Sequence, residues 1–511
     1  MRLDTDRHTA AFAGHCGAWR PRVVIDYVSR AKSPLPNDPT TIVGKEKCAD
    51  GRDANDAVLA LVVVHSAEEP WRLGEIAVAP TEGEVSILGR GEGDGAEART
   101  QFFCARPSGL APTGSLAGSS ISRRQLRVSH SQAGISFARL GRLPLARNGH
   151  CVDAFDAVPG DLVSIGTAVA FLIVERTLFP APLRHFPSSA MPVFGRADAF
   201  GIVGESAAAW QLRERLAFAA LADTHVLLHD PSGSGKELAA AAIHGLSARS
   251  EAPFVSRNAA TLPAGLFDAE LFGHARNYPN PGMPEREGLV GRAADGTLFL
   301  DEIGELTDDL QAHLLRWMDS GGEYQRLGEA SSRTSRARLI AATNRAPESL
   351  KHDVLARFGS RISLPGFDVR REDLPLLLSE RTIAISRKSP ELAARFVYTG
   401  SDGAEHVRVG ARLLRAVLLE ALPGNARDLE TLVWKAIEES PGDELELAGS
   451  APTRGRPART PSATNAESLS REDVVRALEA NRKSVTRAAR ALGLSSRFAL
   501  YRLMDKYEIP R

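Results

Sequence analysis

The sequence predicts a multidomain chain: an N-terminal β-sandwich, a central α/β block with a helical continuation, and a short all-α module at the end. Three observations carry that prediction. Short β-type runs separated by turn residues recur between residues 58 and 176. An apolar strand runs into a glycine-rich loop and then a helix-forming segment near residue 230, and a second apolar strand ending in two carboxylates follows near residue 300. Finally, two short helical patterns joined by a glycine-containing turn close the chain.

Taken in order, residues 1–57 mix charge, Pro and Gly without period and predict a disordered leader. Residues 58–176 contain the strands Val58–Val64, Glu84–Leu88, Leu126–Val128, Gly134–Ala138 and Leu162–Val174. A Pro-rich linker spans 177–200, an α/β core 201–366, and a helical lid 367–440 with helices at Asp373–Ser379 and Arg412–Leu422. A second linker, 441–468, is rich in Pro, Ala, Thr, Ser and Gly, and the all-α module occupies 469–511.

The chain has 511 residues, 63 basic and 63 acidic, so no whole-molecule field selects an anionic partner. The last 61 residues differ, with 13 Lys/Arg against 6 Asp/Glu, a basic footprint that predicts contact with DNA. Four cysteines (Cys16, Cys48, Cys104, Cys151) show no metal or redox spacing, which fits a reducing cytoplasm. There is no apolar run long enough to span a bilayer, and the polar, charged start reads as no secretory leader.

The central block carries the chemistry. Val226-Leu-Leu228 precedes Asp230-Pro-Ser-Gly-Ser-Gly-Lys-Glu237, and a helix follows over Leu238–Ile243. Ser232, Gly233, Ser234 and Gly235 bring backbone N–H groups to phosphate oxygens, the helix N-terminus adds its dipole, and Lys236 supplies a point charge. Asp230 stands where the phosphate-loop pattern has its first glycine, and Glu237 where it has a Mg²⁺-ligating hydroxyl. In Gly296-Thr-Leu-Phe-Leu-Asp-Glu302, Asp301 is placed to hold Mg²⁺ through water and Glu302 to polarise an attacking water. Arg338-Leu-Ile-Ala-Ala-Thr-Asn344 ends another strand in Asn344, a candidate for holding that water or sensing a γ-phosphate.

With these motifs come Gly201-Ile-Val-Gly204, Pro253-Phe-Val-Ser-Arg-Asn258, Glu270-Leu-Phe-Gly-His274 and Leu422-Pro-Gly-Asn-Ala-Arg-Asp-Leu-Glu430. Residues 201–440 thereby resemble the AAA+ domain of bacterial enhancer-binding proteins, the sigma-54-dependent transcription activators. The resemblance implies ATP and Mg²⁺ as cofactors and a hexameric or heptameric homo-oligomer with nucleotide between subunits. It places Val203 beside the adenine, Asn258 as a restraint on Glu302, Asn344 as sensor I and Arg427 as sensor II. Arg357 matches one of the two arginines the family places at the subunit boundary, and Lys351 holds the position of the other. The family's sigma-contacting loop, GAFTGA, is replaced by Asn277-Tyr-Pro-Asn-Pro-Gly282. RNA polymerase holoenzyme is the implied partner. The alternative is an ATP-gated DNA-binding scaffold that hydrolyses little and does not remodel sigma-54.

The ends of the chain complete the expectation. Val485–Leu492 and Ser496–Lys506 read as a helix-turn-helix similar to the Fis-type module of the same family, with Ser496, Arg497 and Arg502 on DNA assisted by Arg487 and Arg490. Towards the N-terminus, Gly89-Arg90, Ser119-Ser-Ile-Ser-Arg-Arg-Gln125, Asn148-Gly149 and Gly160-Asp161 occur in the order of a forkhead-associated (FHA) domain. That similarity implies a phosphothreonine peptide or kinase as partner, with Arg90 and Ser122 on the phosphate and Arg123 beside them. Gln125 stands where that family has a histidine.

Overall fold

In the computed structural model, residues 57–92, 97–177, 182–262, 264–319 and 321–448 are described, with the isolated positions 471, 476 and 492. The disordered-leader prediction and the DNA contacts Arg487, Arg490, Ser496, Arg497 and Arg502 lie outside the described residues.

Among the described residues, twelve strands build the N-terminal region. They are β1 (Ala57–Ser66), β2 (Ile76–Val78), β3 (Val85–Leu88), β4 (Phe102–Arg106), β5 (Gly109–Gly114) and β6 (Leu126–Ser131). The remainder are β7 (Gly134–Arg139), β8 (Leu145–Arg147), β9 (His150–Val152), β10 (Ala154–Ala157), β11 (Leu162–Ile165) and β12 (Val169–Thr177). An eight-stranded sheet in the order β5-β4-β2-β1-β12-β11-β8-β9 packs on a four-stranded sheet, β10-β7-β6-β3. One apolar core lies between them, with Leu61, Val63, Phe102, Val163 and Phe171 from the first sheet and Leu88, Leu126, Val128, Ile135 and Phe137 from the second. The single run expected over Leu162–Val174 is two antiparallel strands instead, because Gly166 at φ 52° opens a turn between them.

β1 is apolar without alternation because both its faces are covered. Leu61 and Val63 enter the sandwich core, whereas Val64 points outward with Leu162, Ala170 and Leu172 into a core shared with the helical lid. That lid comprises α7 (Leu374–Lys388), α8 (Pro390–Ala393), α9 (Ala411–Leu419) and α10 (Ala426–Glu439), after the earlier helices α1 (Ala207–Ala222), α2 (Lys236–Gly245), α3 (Phe267–Leu271), α4 (Gly288–Ala293), α5 (Asp308–Met318) and α6 (His352–Ala356). The α9 helix stops at Leu419, three residues short of expectation, as Glu420 turns extended ahead of Pro423. The lid buries Leu374, Leu378, Leu414 and Leu418 against the outer face of the eight-stranded sheet.

The α/β core has a five-stranded parallel sheet. Its strands are β13 (Val226–His229), β14 (Phe254–Asn258), β15 (Thr297–Asp301), β18 (Arg338–Thr343) and β19 (Ser360–Ser363), in the order β14-β15-β18-β13-β19. A two-stranded hairpin of β16 (Glu323–Tyr324) and β17 (Arg333–Thr334) stands apart. Period-two alternation sends Val226 and Leu228 to the face covered by α1 and α2, and Leu227, Leu298 and Leu300 to the opposite face. The parallel register is what assembles the site: Asn258 pairs with Asp301 and His229 with Thr343, so four strand ends deliver polar residues to one edge.

Candidate nucleotide site

The phosphate loop joins β13 to α2 at that edge. Gly233 and Gly235 adopt φ of 77° and 95°, which bares their amides to an incoming anion. Lys236 is buried and donates to Asp230 O at 2.8 Å and Pro231 O at 3.2 Å, so its ammonium is held over the loop. Burial, as the largest effect, lowers its pKa; Glu302, Asp301 and Asp230 oppose that, and Arg427 adds to it. Ser234 Oγ is buried without a partner among the described residues, a polar group that an oxyanion would satisfy. Glu237 is exposed in the first turn of α2.

Asp230 adopts φ 134°, a backbone conformation that favours glycine. Its Oδ2 accepts from Ser363 Oγ at the end of β19 and lies 3.8 Å from His229 Nδ1, which fixes the carboxylate on neighbouring side chains.

At the end of β15 the chain turns sharply, and Glu302 sits in the left-handed region at φ 56°. Asp301 Oδ1 accepts from Glu302 N at 3.0 Å. Glu302 Oε1 accepts from Asn344 Nδ2 at 3.3 Å, and Oε2 is buried with no partner among the described residues. An orphan carboxylate oxygen beside a polarising amide fits a water nucleophile. Asn258 lies next to Asp301 in the ladder, but its Oδ1 is taken by Ala260 N at 2.8 Å, and Glu302 meets Asn344 instead. Among the described residues no group of three His, Cys, Asp or Glu is placed for a metal ion. A hydrated Mg²⁺ held by one carboxylate and phosphate oxygens needs no such cluster.

The lid closes the loop from above. Arg427 Nη1 donates to Ser232 Oγ, Asn425 Nδ2 donates to Ser232 O at 3.1 Å, and Ala426 N donates to Gly233 O at 3.2 Å. A Cβ on Gly233 would stand 2.2 Å from Gly424 O, so only glycine fits between lid and loop. On the far side, Val203 is buried in a segment ordered by a fully buried ion pair, Arg213 Nε to Asp198 Oδ2 at 2.9 Å. Asp198 Oδ1 accepts from Phe200 N at 2.9 Å and Ile202 N at 3.0 Å, and Arg213 donates to Ile202 O and Gly204 O, both at 2.8 Å. Asp373 then receives Glu205 N, Ser206 N and Ser206 Oγ. Sequence reasoning missed Asn425, Asp198, Arg213 and Asp373. Asn425 was within sight, being inside the quoted lid motif, whereas a buried arginine in α1 has the same sequence pattern as a solvated one.

Lys351 and Arg357 flank α6, one at each end. Lys351 N donates to Gln311 Oε1 at 2.9 Å, and the exposed Arg357 side chain pairs with Asp319. The loop in the GAFTGA position is closed on itself: Gly282 N donates to Asn277 Oδ1 at 2.9 Å, and Asn277 N to Met283 O at 2.9 Å. The Tyr278 ring lies over Gly328, where a Cβ would meet it at 2.4 Å.

In the N-terminal region, the structure brings Arg90 and Ser122 into adjacent loops. Arg90 N donates to Ser122 O at 3.1 Å, and Arg90 Nη1 to Ser119 O at 3.2 Å. A Cβ on Gly89 would stand 2.2 Å from Arg123 O, which explains the glycine before Arg90. Arg123 is exposed. Gln125 is fully buried and bridges this loop to the next, donating to Leu143 O at 2.9 Å while accepting from Ser122 N at 3.4 Å. Asn148 and Asp161 meet directly at 2.8 Å, so two of the sequence motifs brace one another.

Residues 202–358 match the sigma-54 interaction domain family. The transcriptional regulatory protein ZraR of Salmonella typhimurium is 33% identical over 322 residues, covering 60% of this chain and 69% of that protein. The formate hydrogenlyase transcriptional activator of the same species is 33% identical over 315 residues, covering 59% and 44%. The Nif-specific regulatory protein of Bradyrhizobium diazoefficiens is 34% identical over 266 residues, covering 51% and 43%. Of the last two, the chain thus spans less than half the length. NtrX from Brucella abortus, solved in complex with ADP, aligns at 25% identity over 61% of this chain and 70% of that one, with a TM-score of 0.43. The chain belongs to the family of sigma-54-dependent transcriptional activators, the bacterial enhancer-binding proteins.

Proposed function

We propose that this chain is an ATP-binding transcription regulator, held on DNA by its C-terminal module and signalled through an FHA-like N-terminal sandwich. The observation that carries the reading is the convergence of Lys236, Asp301, Glu302, Asn344 and Arg427 on one sheet edge, with the Asn344–Glu302 bond and the orphan Glu302 Oε2 at its centre. Magnesium-bound ATP would supply a phosphoryl bond whose hydrolysis does work on a partner. The chain's own groups divide the task. The 233–235 amides and Lys236 hold the phosphates, and Arg427 reaches them from the lid, replacing its contact with Ser232. Asp301 would hold the magnesium ion through water. Glu302 Oε2 accepts the proton of the attacking water, and Asn344 fixes the carboxylate while it does so. Arg357 and Lys351 act across a subunit boundary in a homo-oligomeric ring, which requires Arg357 to leave Asp319.

Sigma-54 contact belongs to the same proposal, with RNA polymerase holoenzyme as the partner. A second reading, an ATP-gated DNA-binding scaffold without sigma-54 remodelling, is favoured by one observation: the self-closed Asn277–Gly282 loop. On the sandwich, Arg90 and Ser122, with Arg123 alongside, form the phosphothreonine cradle. Binding of a fluorescent ATP analogue to the full chain and to Lys236→Ala tests the site. A loss of affinity in the variant supports it; equal affinity refutes it.

A further inference from the structure

The loop that carries Ser122 folds around two consecutive carboxylates from the turn after β1, and they are not equivalent. Glu69 is buried and braces the loop: its Oε2 accepts from Ala117 N at 2.8 Å and Gly118 N at 3.1 Å, and its Oε1 from Arg72 Nε at 2.6 Å. Glu68 is exposed to solvent, yet all its lone pairs are met. Its Oε2 accepts from Ser119 N at 2.6 Å and Ser119 Oγ at 2.9 Å; its Oε1 accepts from Ser120 N at 3.0 Å and from Ser120 Oγ. These four donors hold the carboxyl at about 2, far below its ordinary value.

Two adjacent amides and two hydroxyls converging on one anion make a concave nest that suits phosphate oxygens as well as carboxylate oxygens. The nest shares a wall with the proposed cradle, since Arg90 Nη1 donates to the carbonyl of Ser119, whose amide is in the nest. Glu69 holds Ala117 and Gly118 independently, so the loop keeps its shape when Glu68 leaves.

We propose that the Ser119–Ser120 nest is the second half of the phosphate cradle formed by Arg90 and Ser122, and that Glu68 is an internal ligand which a phosphorylated side chain displaces. This rests on the phosphopeptide reading above and adds a threshold to it. A nest occupied by Glu68 about nine-tenths of the time weakens apparent affinity about tenfold.

The test titrates O-phosphothreonine, with threonine as control, into the full chain by calorimetry, comparing wild type, Glu68→Ala, Glu68→Gln and Glu68→Ala combined with Arg90→Ala. The expected result is a gain of about tenfold in Glu68→Ala, a smaller gain in the isosteric Glu68→Gln, and loss of both gain and binding when Arg90 is removed. The amide resonances of Ser119 and Ser120 should shift on mutation and again on titration, which reads the nest independently of affinity. Equal, Arg90-dependent binding by wild type and Glu68→Ala would overturn the internal ligand and leave the phosphopeptide reading standing. A gain that survives Arg90→Ala would overturn the shared cradle. Binding by none of the proteins would overturn the phosphopeptide reading itself, and the inference with it.

Discussion

Glu302 is the residue on which the proposed chemistry turns. Its backbone is strained at φ 56°, one carboxylate oxygen is fixed by Asn344 and the other is buried without a partner among the described residues. Glu302→Gln should reduce ATP turnover by about 10²–10⁴, the usual worth of a general base, while equilibrium binding of ATP is retained; calorimetry beside a phosphate-release assay separates the two. Asp230 gives a prediction of opposite sign. Its φ of 134° is glycine-like, and its negative charge acts on the Lys236 ammonium of the phosphate loop. Asp230→Gly should relieve strain of about 1–3 kcal/mol and tighten ATP binding, measured with the same analogue titration. Arg213 is structural: its guanidinium is wholly buried on Asp198. Arg213→Ala should cost about 3–5 kcal/mol in chemical denaturation, because it strands a buried carboxylate.

At the scale of elements, the phosphate loop depends on its contact with the lid. Gly233→Ala places a methyl 2.2 Å from Gly424 O at a φ of 77°, so the lid must shift off the loop, and both nucleotide affinity and melting temperature should fall. Several elements were legible in the sequence for a physical reason. The strands β13, β15 and β18 are covered on both faces and read as continuous apolar runs, and their carboxyl ends announced Asp301, Glu302 and Asn344. The hairpin of β4 and β5 was not legible: Phe102–Arg106 mixes buried and half-buried positions, and Gly109–Gly114 carries a proline and no buried residue. Nor was the ion pair that orders the segment around Val203, because Asp198 and Arg213 are fifteen positions apart and meet only in three dimensions. The sandwich–lid contact left a trace that spacing alone does not decode, the unbroken burial of Val169–Ile173.

For the whole molecule, that contact packs the N-terminal sandwich on the helical lid rather than leaving it an appendage. Arg176 pairs with Glu372 at 3.2 Å in a nearly dry junction, and Arg106 reaches Glu205 at 2.9 Å beside Val203 and the nucleotide edge. Burial lifts Glu372 to about 6, against the pull of Arg176. The folded protein therefore holds this proton more tightly than the unfolded chain, so the contribution is fully present below pH 4.5 and is lost as pH rises through about 6. Its size is about 2 kcal/mol, and Glu372→Gln should flatten the stability profile across that window in a thermal-melt series. The central claim, an ATP site completed between subunits, is tested most directly by steady-state hydrolysis in the full chain across protein concentration, with Glu302→Gln and Arg357→Ala in parallel. Specific activity that rises with concentration, disappears in Glu302→Gln and falls steeply in Arg357→Ala is the predicted result. Specific activity independent of concentration, or unchanged in Glu302→Gln, would contradict it.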